Sequence, residues 1–413
     1  MWFYVQHILI PYEQADAVAH DRPRGNLSDL YPRWLGAREL LLHHRDPYSP
    51  QITREIQQGY YGRALDPGRP EDPKDQQGFA YPVYVVFLLA PTVSTRFEIV
   101  EVMFRWFLVG LTAAAVWMWL RVLAWRPHAA ATCILLVLTL GSFPAIQGFK
   151  LEQLSLLVCG LVAGCAMLVT SGYLALAGFV LALATIKPQL ALPFAGWLAV
   201  WAFADWKARR MLIWGFIATM MALIAGGEFL LPGWVGRFRE AVVAYREYTG
   251  GAGSALDVMI TPTAGKILTS LIVLGIIAAC LLVRRHRAES VPFVLVSSLV
   301  LAATVVIIPT FAPYNQLLLL PAIFLLLRSH EEIWQSGWAQ RAMVIICASM
   351  VVWPWMMAAS LTLASAVLPV EKIESAWQLP LYTSLEIPLA VLALLVVYAR
   401  KRLSGQTACR MGG

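Results

Sequence analysis

Apolar runs separated by short polar segments fill the chain from Tyr81 onward, whereas the residues before it are mostly polar. A helix that crosses a bilayer needs about 20 predominantly apolar residues, and runs close to that length recur along the chain. With a short N-terminal segment, the pattern predicts an all-α membrane protein of about twelve transmembrane helices. The predicted helices cover residues 98–120, 129–147, 151–169, 172–186, 188–204, 211–231, 264–283, 291–308, 314–327, 342–368 and 382–398.

Two apolar segments are too short to cross a bilayer. Residues 1–10 have half the needed length and lack the features of a signal peptide, so we expect either a chain that begins upstream of Met1 or a stunted first helix. Residues 81–93 are typical of a re-entrant or interfacial helix. The polar region between these segments predicts two amphipathic surface helices, one that starts at Ser28 or Asp29 and one over residues 51–61.

Composition agrees with a membrane protein. Of 413 residues, 59% are hydrophobic and 14% are charged, whereas soluble proteins have about 25% charged residues. The net charge of +7 arises from Lys and Arg in short loops, as orientation signals do, and does not indicate nucleic-acid binding. If each run crosses once, these basic loops are cytoplasmic and the other polar motifs lie outside. The six cysteines lie in apolar segments or the tail and predict no disulfide framework.

The alternation of apolar and polar segments divides the chain into six parts. They are a shortened first transmembrane segment (1–10), an extracytoplasmic catalytic loop (11–80), a transmembrane catalytic module (81–231), an extracytoplasmic loop (232–262), C-terminal transmembrane helices (263–400) and a cytoplasmic tail (401–413).

Asp29 opens the first predicted surface helix. Its carboxylate could cap that helix by accepting backbone N–H groups, or act as a general base at the membrane surface. The sequence leaves both roles open. His43 and His44 do not predict a metal site, because neighbours on a helix point about 100° apart.

Lys187 lies between two long apolar runs, and the proline after it predicts a helix break. A cation there is costly unless it faces a cavity, water or an anion, so it either binds a phosphate or is an interfacial anchor. Gln189 follows it closely. Lys150 and Gln153, between two other predicted spans, either form a solvated turn or contribute to the same site.

Two later segments carry further candidates. Arg237 and Arg246 recur with aromatic residues at helical spacing, which predicts a surface helix that contacts lipid headgroups or a pyrophosphate. Tyr314 and Asn315 lie in a turn bracketed by prolines. No P-loop, GxGxxG, HExxH or usable GxSxG motif occurs in the chain.

Six short motifs follow one another between about residues 25 and 327: Ser28-Asp29-Leu30-Tyr31, Arg45-Asp46-Pro47-Tyr48, Tyr81-Pro82, Glu152-Gln153-Leu154-Ser155, Ile186-Lys187-Pro188-Gln189 and Ala312-Pro313-Tyr314-Asn315-Gln316. Their order resembles glycosyltransferase family 87, the polyprenyl-phosphate-mannose-dependent members of the GT-C membrane superfamily. The chain differs from the family pattern at Glu152, where glycine is usual, and at Asn315, where an acid or histidine is frequent.

The resemblance implies an inverting transfer of a hexose from a polyprenyl-phosphate donor to a lipid or glycan acceptor at the outer face of the cell membrane. It implies catalytic roles for Asp29 and Asp46. Together with the residue patterns above, it predicts a set of polar residues that contact donor or acceptor: Tyr31, Tyr48, Lys150, Gln153, Lys187, Gln189, Arg237, Arg246, Tyr314 and Asn315.

The chemistry of this reaction requires no metal or other cofactor, because the phosphate leaving group already carries charge. The expected partners are the lipid-linked donor, the acceptor and membrane lipids. The alternatives are a flippase or other transporter of lipid-linked sugars, and an inactive scaffold for envelope assembly. Ionisable residues that gather at one face rather than at mid-bilayer favour the enzyme over a transporter.

Overall fold

The computed structural model describes residues 1–19, 28–66, 68–73, 75–248, 253–309, 312–369, 373 and 376–411. Throughout these ranges the regular structure is helical, and no strand occurs in them. The predicted all-α class is therefore confirmed for the described part of the chain.

The N-terminal helix is longer than the predicted segment of residues 1–10. It consists of an α-helical turn Trp2–Tyr4, a π-helical stretch Val5–Leu9 and an α-helix Ile10–Ala19. The π-helical stretch lies just before Pro11, whose ring lacks an N–H and clashes with the preceding turn of a regular α-helix. The first half of this helix is anchored in a separate apolar cluster with Phe143, Ala358 and Trp377.

The polar region folds into compact helices rather than an open loop. Helix α1 is Tyr31–His43, α2 is Pro50–Tyr61 and the short α3 is Val85–Leu89, followed by a 3-10 turn Ala90–Thr92. Helix α2 follows its prediction closely, with Ser49 accepting a hydrogen bond from the Ile52 N–H as its cap. Helix α3 is too short to cross a bilayer, as predicted.

Helix α1 differs from the prediction in its start and in its surroundings. It begins at Tyr31, and Leu30 precedes it without any side-chain cap, so Asp29 is not the cap. Its surface is buried on several sides, with Trp34, Ala37 and Leu40 in the main core. The predicted start at Ser28 or Asp29 is therefore wrong, whereas the position of this helix at the membrane surface stays a prediction.

Every predicted apolar run after Tyr81 contains helix. The remaining α-helices are α4 (Phe97–Val122), α5 (Ala129–Leu140), α6 (Phe143–Lys150), α7 (Leu154–Thr170), α8 (Leu174–Ala184), α9 (Pro188–Phe203), α10 (Trp206–Leu230), α11 (Trp234–Tyr248), α12 (Ala255–Met259), α13 (Pro262–Val283), α14 (Val291–Ile307), α15 (Leu320–Arg328), α16 (His330–Trp334), α17 (Trp338–Ala364), α18 (Leu379–Thr383) and α19 (Ile387–Met411), with 3-10 turns at Pro313–Leu319 and Ser384–Glu386.

Five helical segments in the described ranges are long and apolar enough to cross a membrane: Phe97–Val122, Trp206–Leu230, Pro262–Val283, Trp338–Ala364 and Leu379–Arg402. A sixth arises if α5 and α6, which meet at an angle of 52°, form one broken span. The other apolar helices have 10–17 residues. The chain is therefore a membrane-embedded helical protein.

Two breaks in the apolar helices matter for the site. The run predicted as one helix over residues 129–147 bends after Gly141, because Ser142 caps α6 and Pro144 follows in its first turn. The predicted break at Lys187 is confirmed, since α8 ends at Ala184 and α9 begins at Pro188. The second break places the buried Lys187 side chain inside the helical assembly.

Candidate functional site

The turn between α6 and α7 meets the residue that precedes α1. The N–H of Asp29 donates to the carbonyl oxygen of Leu151 at 2.9 Å. The next residue, Glu152, has a φ of +45°, in the left-handed region, and this turns the chain so that Gln153 follows beside Asp29. The backbone contact thus joins segments that are far apart in sequence.

The Asp29 carboxylate is partly buried and is held by side chains from two other segments. Its Oδ2 accepts a hydrogen bond from Nε2 of Gln153, and its Oδ1 lies 3.5 Å from the Tyr60 hydroxyl, which donates to it. Burial raises the pKa of the Asp29 carboxyl, and the charges of Arg33 and Lys187 oppose this increase. A carboxylate with a raised pKa is a stronger base than an exposed aspartate.

Lys187 is buried, with 9% of its surface exposed, and it points into the protein. Its Nζ donates to Gln153 Oε1 at 2.9 Å and to Ser155 Oγ at 2.7 Å. An ammonium group has three N–H donors, so one remains for a further acceptor. The alternative of an interfacial anchor does not fit this position, because an anchor extends toward the headgroups.

Aromatic rings surround the Lys187 ammonium. Its Nζ lies 5.7 Å from the ring centre of Tyr81 and 5.5 Å from that of Tyr314. The guanidinium of Arg33 lies 4.7 Å from the same Tyr81 ring, and its Nη1 donates to the Asp29 carbonyl oxygen at 2.9 Å. Its Nε is buried and has no hydrogen-bond partner among the described residues. Two cations therefore meet at one tyrosine beside one carboxylate.

Asn315, which follows Tyr314 in the chain, has a buried acceptor. It is 6% exposed, and its Oδ1 has no hydrogen-bond partner in the described part of the chain. The neighbouring Gln316 donates from Nε2 to the Ser384 carbonyl oxygen at 2.8 Å, and its Oε1 likewise has no partner among the described residues. A buried amide oxygen without a partner is costly, which is typical of a ligand site.

The second predicted acid, Asp46, lies at the other end of α1, about 20 Å from Asp29 by helix length. Its Oδ1 accepts from the Tyr48 N–H and its Oδ2 pairs with Arg237, each at 2.9 Å. The Tyr48 hydroxyl donates to the Tyr81 carbonyl oxygen at 2.6 Å. These three predicted residues form a separate group that holds Tyr81.

Lys150 and Tyr31 make contacts outside these two groups. Lys150 donates to Oε1 of Gln6 and lies 4.2 Å from the ring centre of Trp2, so it fastens the N-terminal helix. Tyr31 packs edge-on against Phe97 with ring centres 4.9 Å apart. Gln189 and Arg246 are exposed.

Sequence reasoning missed several members of the site. Ser155 is part of a motif that was singled out, and Arg33 follows Asp29 by one helical turn, so both had a local signal. Tyr81 also lies in one of the six motifs, whereas Tyr60 had no signal beyond its aromatic character. No three His, Cys, Asp or Glu side chains come close enough to hold a metal ion in the ranges that the structure describes.

The fold and the site together define a membrane-embedded helical protein with a buried cluster of one carboxylate, one bridging amide and two cations. No family model, curated protein or solved structure matches the chain.

Proposed function

We propose that the protein is a membrane glycosyltransferase of the GT-C type that transfers a hexose from a polyprenyl-phosphate donor to a lipid or glycan acceptor, with Asp29 as the general base. The observation that carries this proposal is the bridge formed by Gln153, whose amide contacts the Asp29 carboxylate on one side and the Lys187 ammonium on the other. It holds a proton acceptor next to a cation that can bind an anion.

Asp29 has the properties that the attacking hydroxyl requires. In an inverting transfer the acceptor hydroxyl loses its proton as it attacks the anomeric carbon, and a carboxylate within hydrogen-bond reach can take that proton. Neither oxygen of Asp29 is occupied by a direct ion pair with a lysine or arginine side chain among the described residues. The carboxylate is thus free to accept a proton when an acceptor hydroxyl enters.

Lys187 and Arg33 supply the donor's phosphate site. The third N–H of Lys187 and the unpartnered Nε of Arg33 are two donors for phosphate oxygens. Lys187 also precedes the first turn of α9, where the helix dipole favours an anion. A polyprenyl chain stays in the bilayer, so its phosphate must be bound by a protein whose site lies among membrane helices.

The proposal includes a finer topology than the long helices define. In it, the shorter apolar helices also cross or enter the bilayer, giving about twelve segments. The Asp29 site faces the extracytoplasmic side of the cell membrane, because the clusters of Lys and Arg at the opposite ends of the helices are cytoplasmic.

Replacement of Asp29 by asparagine tests the proposal. Purified protein is given a polyprenyl-phosphate hexose and a membrane lipid fraction, and the product is measured over a range of pH. We expect Asp29→Asn to lower the rate by about 10²–10⁴ while the protein remains folded. In the wild type the rate should fall as the pH falls through the raised pKa of Asp29, because the protonated carboxyl cannot accept a proton.

Thermal unfolding of the same variant separates loss of chemistry from loss of fold. Because the pKa of Asp29 is raised, the folded state binds this proton more tightly than the unfolded chain, and the ionised form lowers stability above that pKa. Asparagine removes this cost, so we expect unchanged or higher stability. Asp46→Asn is the matched control and should keep most activity. Normal turnover in Asp29→Asn would refute the role of Asp29, and an inactive Asp46→Asn beside it would identify Asp46 as the base.

A further inference from the structure

Two basic loops lie at the end of the helices remote from the Asp29 site. Lys207, Arg209 and Arg210 are in the first turns of α10, and a second basic group directly follows α13 at residues 284–287. Helix α9 leads from Lys187 to this end over 16 residues, a length of about 24 Å. The two loops therefore belong to a different surface from the candidate active site.

Arg209 fastens these loops together. It is 7% exposed, and its Nη1 donates to the carbonyl oxygens of Trp201 and Arg284, each at 2.8 Å. Its Nη2 donates to the His286 carbonyl oxygen at 3.1 Å, which also accepts from Nε1 of Trp201 at 2.9 Å. The guanidinium stacks 4.0 Å from the Trp201 ring centre. All of these hydrogen bonds are accepted by backbone carbonyl oxygens, so no acidic side chain among the described residues is paired with Arg209. We call this arrangement of Arg209 between the two loops the clasp.

The clasp leaves four cations exposed on one surface, which we call the basic clasp surface: Lys207, Arg210, Arg285 and Arg287. None of these four side chains has a hydrogen bond or ion pair with another described residue. Two acids lie nearby in sequence. Asp205 caps α10 by accepting from the Ala208 N–H, and Glu289 is exposed. Arg402 in α19, by contrast, is paired with the carboxylate of Glu332.

Aromatic side chains place the basic clasp surface at headgroup level. Phe203 and Trp206 stack with ring centres 5.4 Å apart and an angle of 4° between the rings, and Trp214 continues the row. These rings are exposed on the outside of α9 and α10. Exposed tryptophan beside cations at the end of long apolar helices is typical of the membrane–water interface. Both α10 and α13 are long enough to cross the bilayer, and the cations adjoin their ends.

We propose that the basic clasp surface binds the headgroup of an anionic phospholipid. The cations supply charge-assisted hydrogen bonds to the headgroup phosphate, and the aromatic row contacts the acyl chains beneath it. Arg209 keeps the two loops at a fixed separation, so the site is present before the lipid binds. Unpaired cations lie beside an apolar aromatic border on this surface. A soluble anion would use only the cations, whereas a phospholipid uses both.

Native mass spectrometry of the detergent-purified full chain tests the site, with phosphatidylglycerol and phosphatidylcholine as the titrated lipids. We expect the wild type to bind phosphatidylglycerol more tightly. The variant Lys207→Gln/Arg210→Gln/Arg287→Gln should lose affinity for phosphatidylglycerol by roughly fivefold for each neutralised side chain. Binding of phosphatidylcholine should not change.

A matched control removes three charges from exposed cations outside the basic clasp surface, in Arg96→Gln/Arg239→Gln/Lys266→Gln, and should bind phosphatidylglycerol as the wild type does. A charge-preserving variant, Lys207→Arg/Arg210→Lys/Arg287→Lys, should fold and retain the preference even if the glutamine variant does not fold. Equal losses in the glutamine variant and in the control would overturn the proposal. So would a wild type without preference for the anionic lipid, whatever the protein's catalytic activity.

Discussion

Glu152 shows how a single strained residue can be stabilised by its side chain. Its φ of +45° lies in the left-handed region, where a residue with a β-carbon costs about 1–2 kcal/mol relative to glycine. Its carboxylate is fully buried and accepts two hydrogen bonds from Arg105, at 2.6 and 2.9 Å. Burial raises the pKa of Glu152 to about 7, and the hydrogen bonds from Ser28 and Arg105 oppose the increase. The ion pair thus fixes the turn that carries Gln153.

A glycine at this position separates the two effects. Glu152→Gly removes the backbone strain but leaves Arg105 without its buried partner, a loss of about 3–5 kcal/mol. The removed strain offsets part of this loss, and Arg105 keeps its contact with Glu101 at 2.7 Å, so we expect a net destabilisation of about 1–3 kcal/mol. Thermal unfolding followed by tryptophan fluorescence measures it.

The double variant Glu152→Gly/Arg105→Met provides the control. It removes both charges together with the strain, and we expect it to be more stable than Glu152→Gly alone. A double variant less stable than the single one would show that Arg105 has a structural role that does not depend on Glu152.

The sequence predicted individual polar residues of the site, but not the hydrogen bonds that join them. Asp29, Gln153 and Lys187 stand out because they lie in or beside apolar surroundings where a polar group is costly. That Gln153 joins the other two could not be predicted, since it is 124 residues from Asp29 and the contact depends on the turn at Glu152. Local sequence also allowed a helix cap for Asp29. That cap is not formed, because a tertiary contact with Gln153 competes for the same carboxylate.

Among the helices, α8 and α10 pack closely against each other. A β-carbon on Gly178 would lie 2.2 Å from the Leu212 carbonyl oxygen, and one on Gly215 would lie 2.2 Å from that of Ala175. Two glycines on facing helices thus bring the backbones together, as small residues do in membrane helix pairs. The pair positions the break that carries Lys187, since α8 ends just before it.

Substitution of these glycines should therefore separate the helices. We expect Gly178→Ala and Gly215→Ala each to lower stability by roughly 1–3 kcal/mol, because the contact is with backbone that cannot rotate away. Gly110→Ala in α4 is the control, since a β-carbon there would have no neighbour within 4 Å among the described residues, and it should be neutral or slightly stabilising. Unfolding in a denaturing detergent compares the three. An effect of Gly110→Ala as large as the other two would contradict this account of the packing.

Helix positions were predictable from apolar runs, whereas helix bends and lengths were not. The break at Lys187 was visible because proline follows a charged residue. The bend before α6 depends on Ser142 acting as a cap, a role that serine fills only at some positions. The N-terminal helix continues past Pro11 through a π-helical stretch, and its anchoring by Ala358 and Trp377 has no local signature.

At the scale of the whole molecule, the Asp29 site and the basic clasp surface lie at opposite ends of α9 and α10. The proposed orientation places the first outside the cell and the second inside. In a variant without native cysteines, Asp66→Cys should react with a membrane-impermeant maleimide on intact cells. Arg285→Cys should react only after permeabilisation. Both residues are exposed.

The labelling pattern bears directly on the proposed function. If Arg285→Cys reacts on intact cells and Asp66→Cys does not, the site faces the cytoplasm and a donor presented at the outer face is excluded. Reaction of both positions from one side would show that the two ends do not lie on opposite faces of the membrane.

The neutral amide of Gln153 lies between the Asp29 carboxylate and the Lys187 ammonium and keeps these opposite charges apart. In direct contact, Asp29 and Lys187 would neutralise each other, which would depress the basicity of the carboxylate and occupy the last N–H of the ammonium. An amide has one donor end and one acceptor end, so it satisfies both groups and keeps them one side chain apart. Glutamate could not do so, since it has no N–H to offer Asp29. The basicity of one group and the anion affinity of the other therefore coexist because a neutral group separates them.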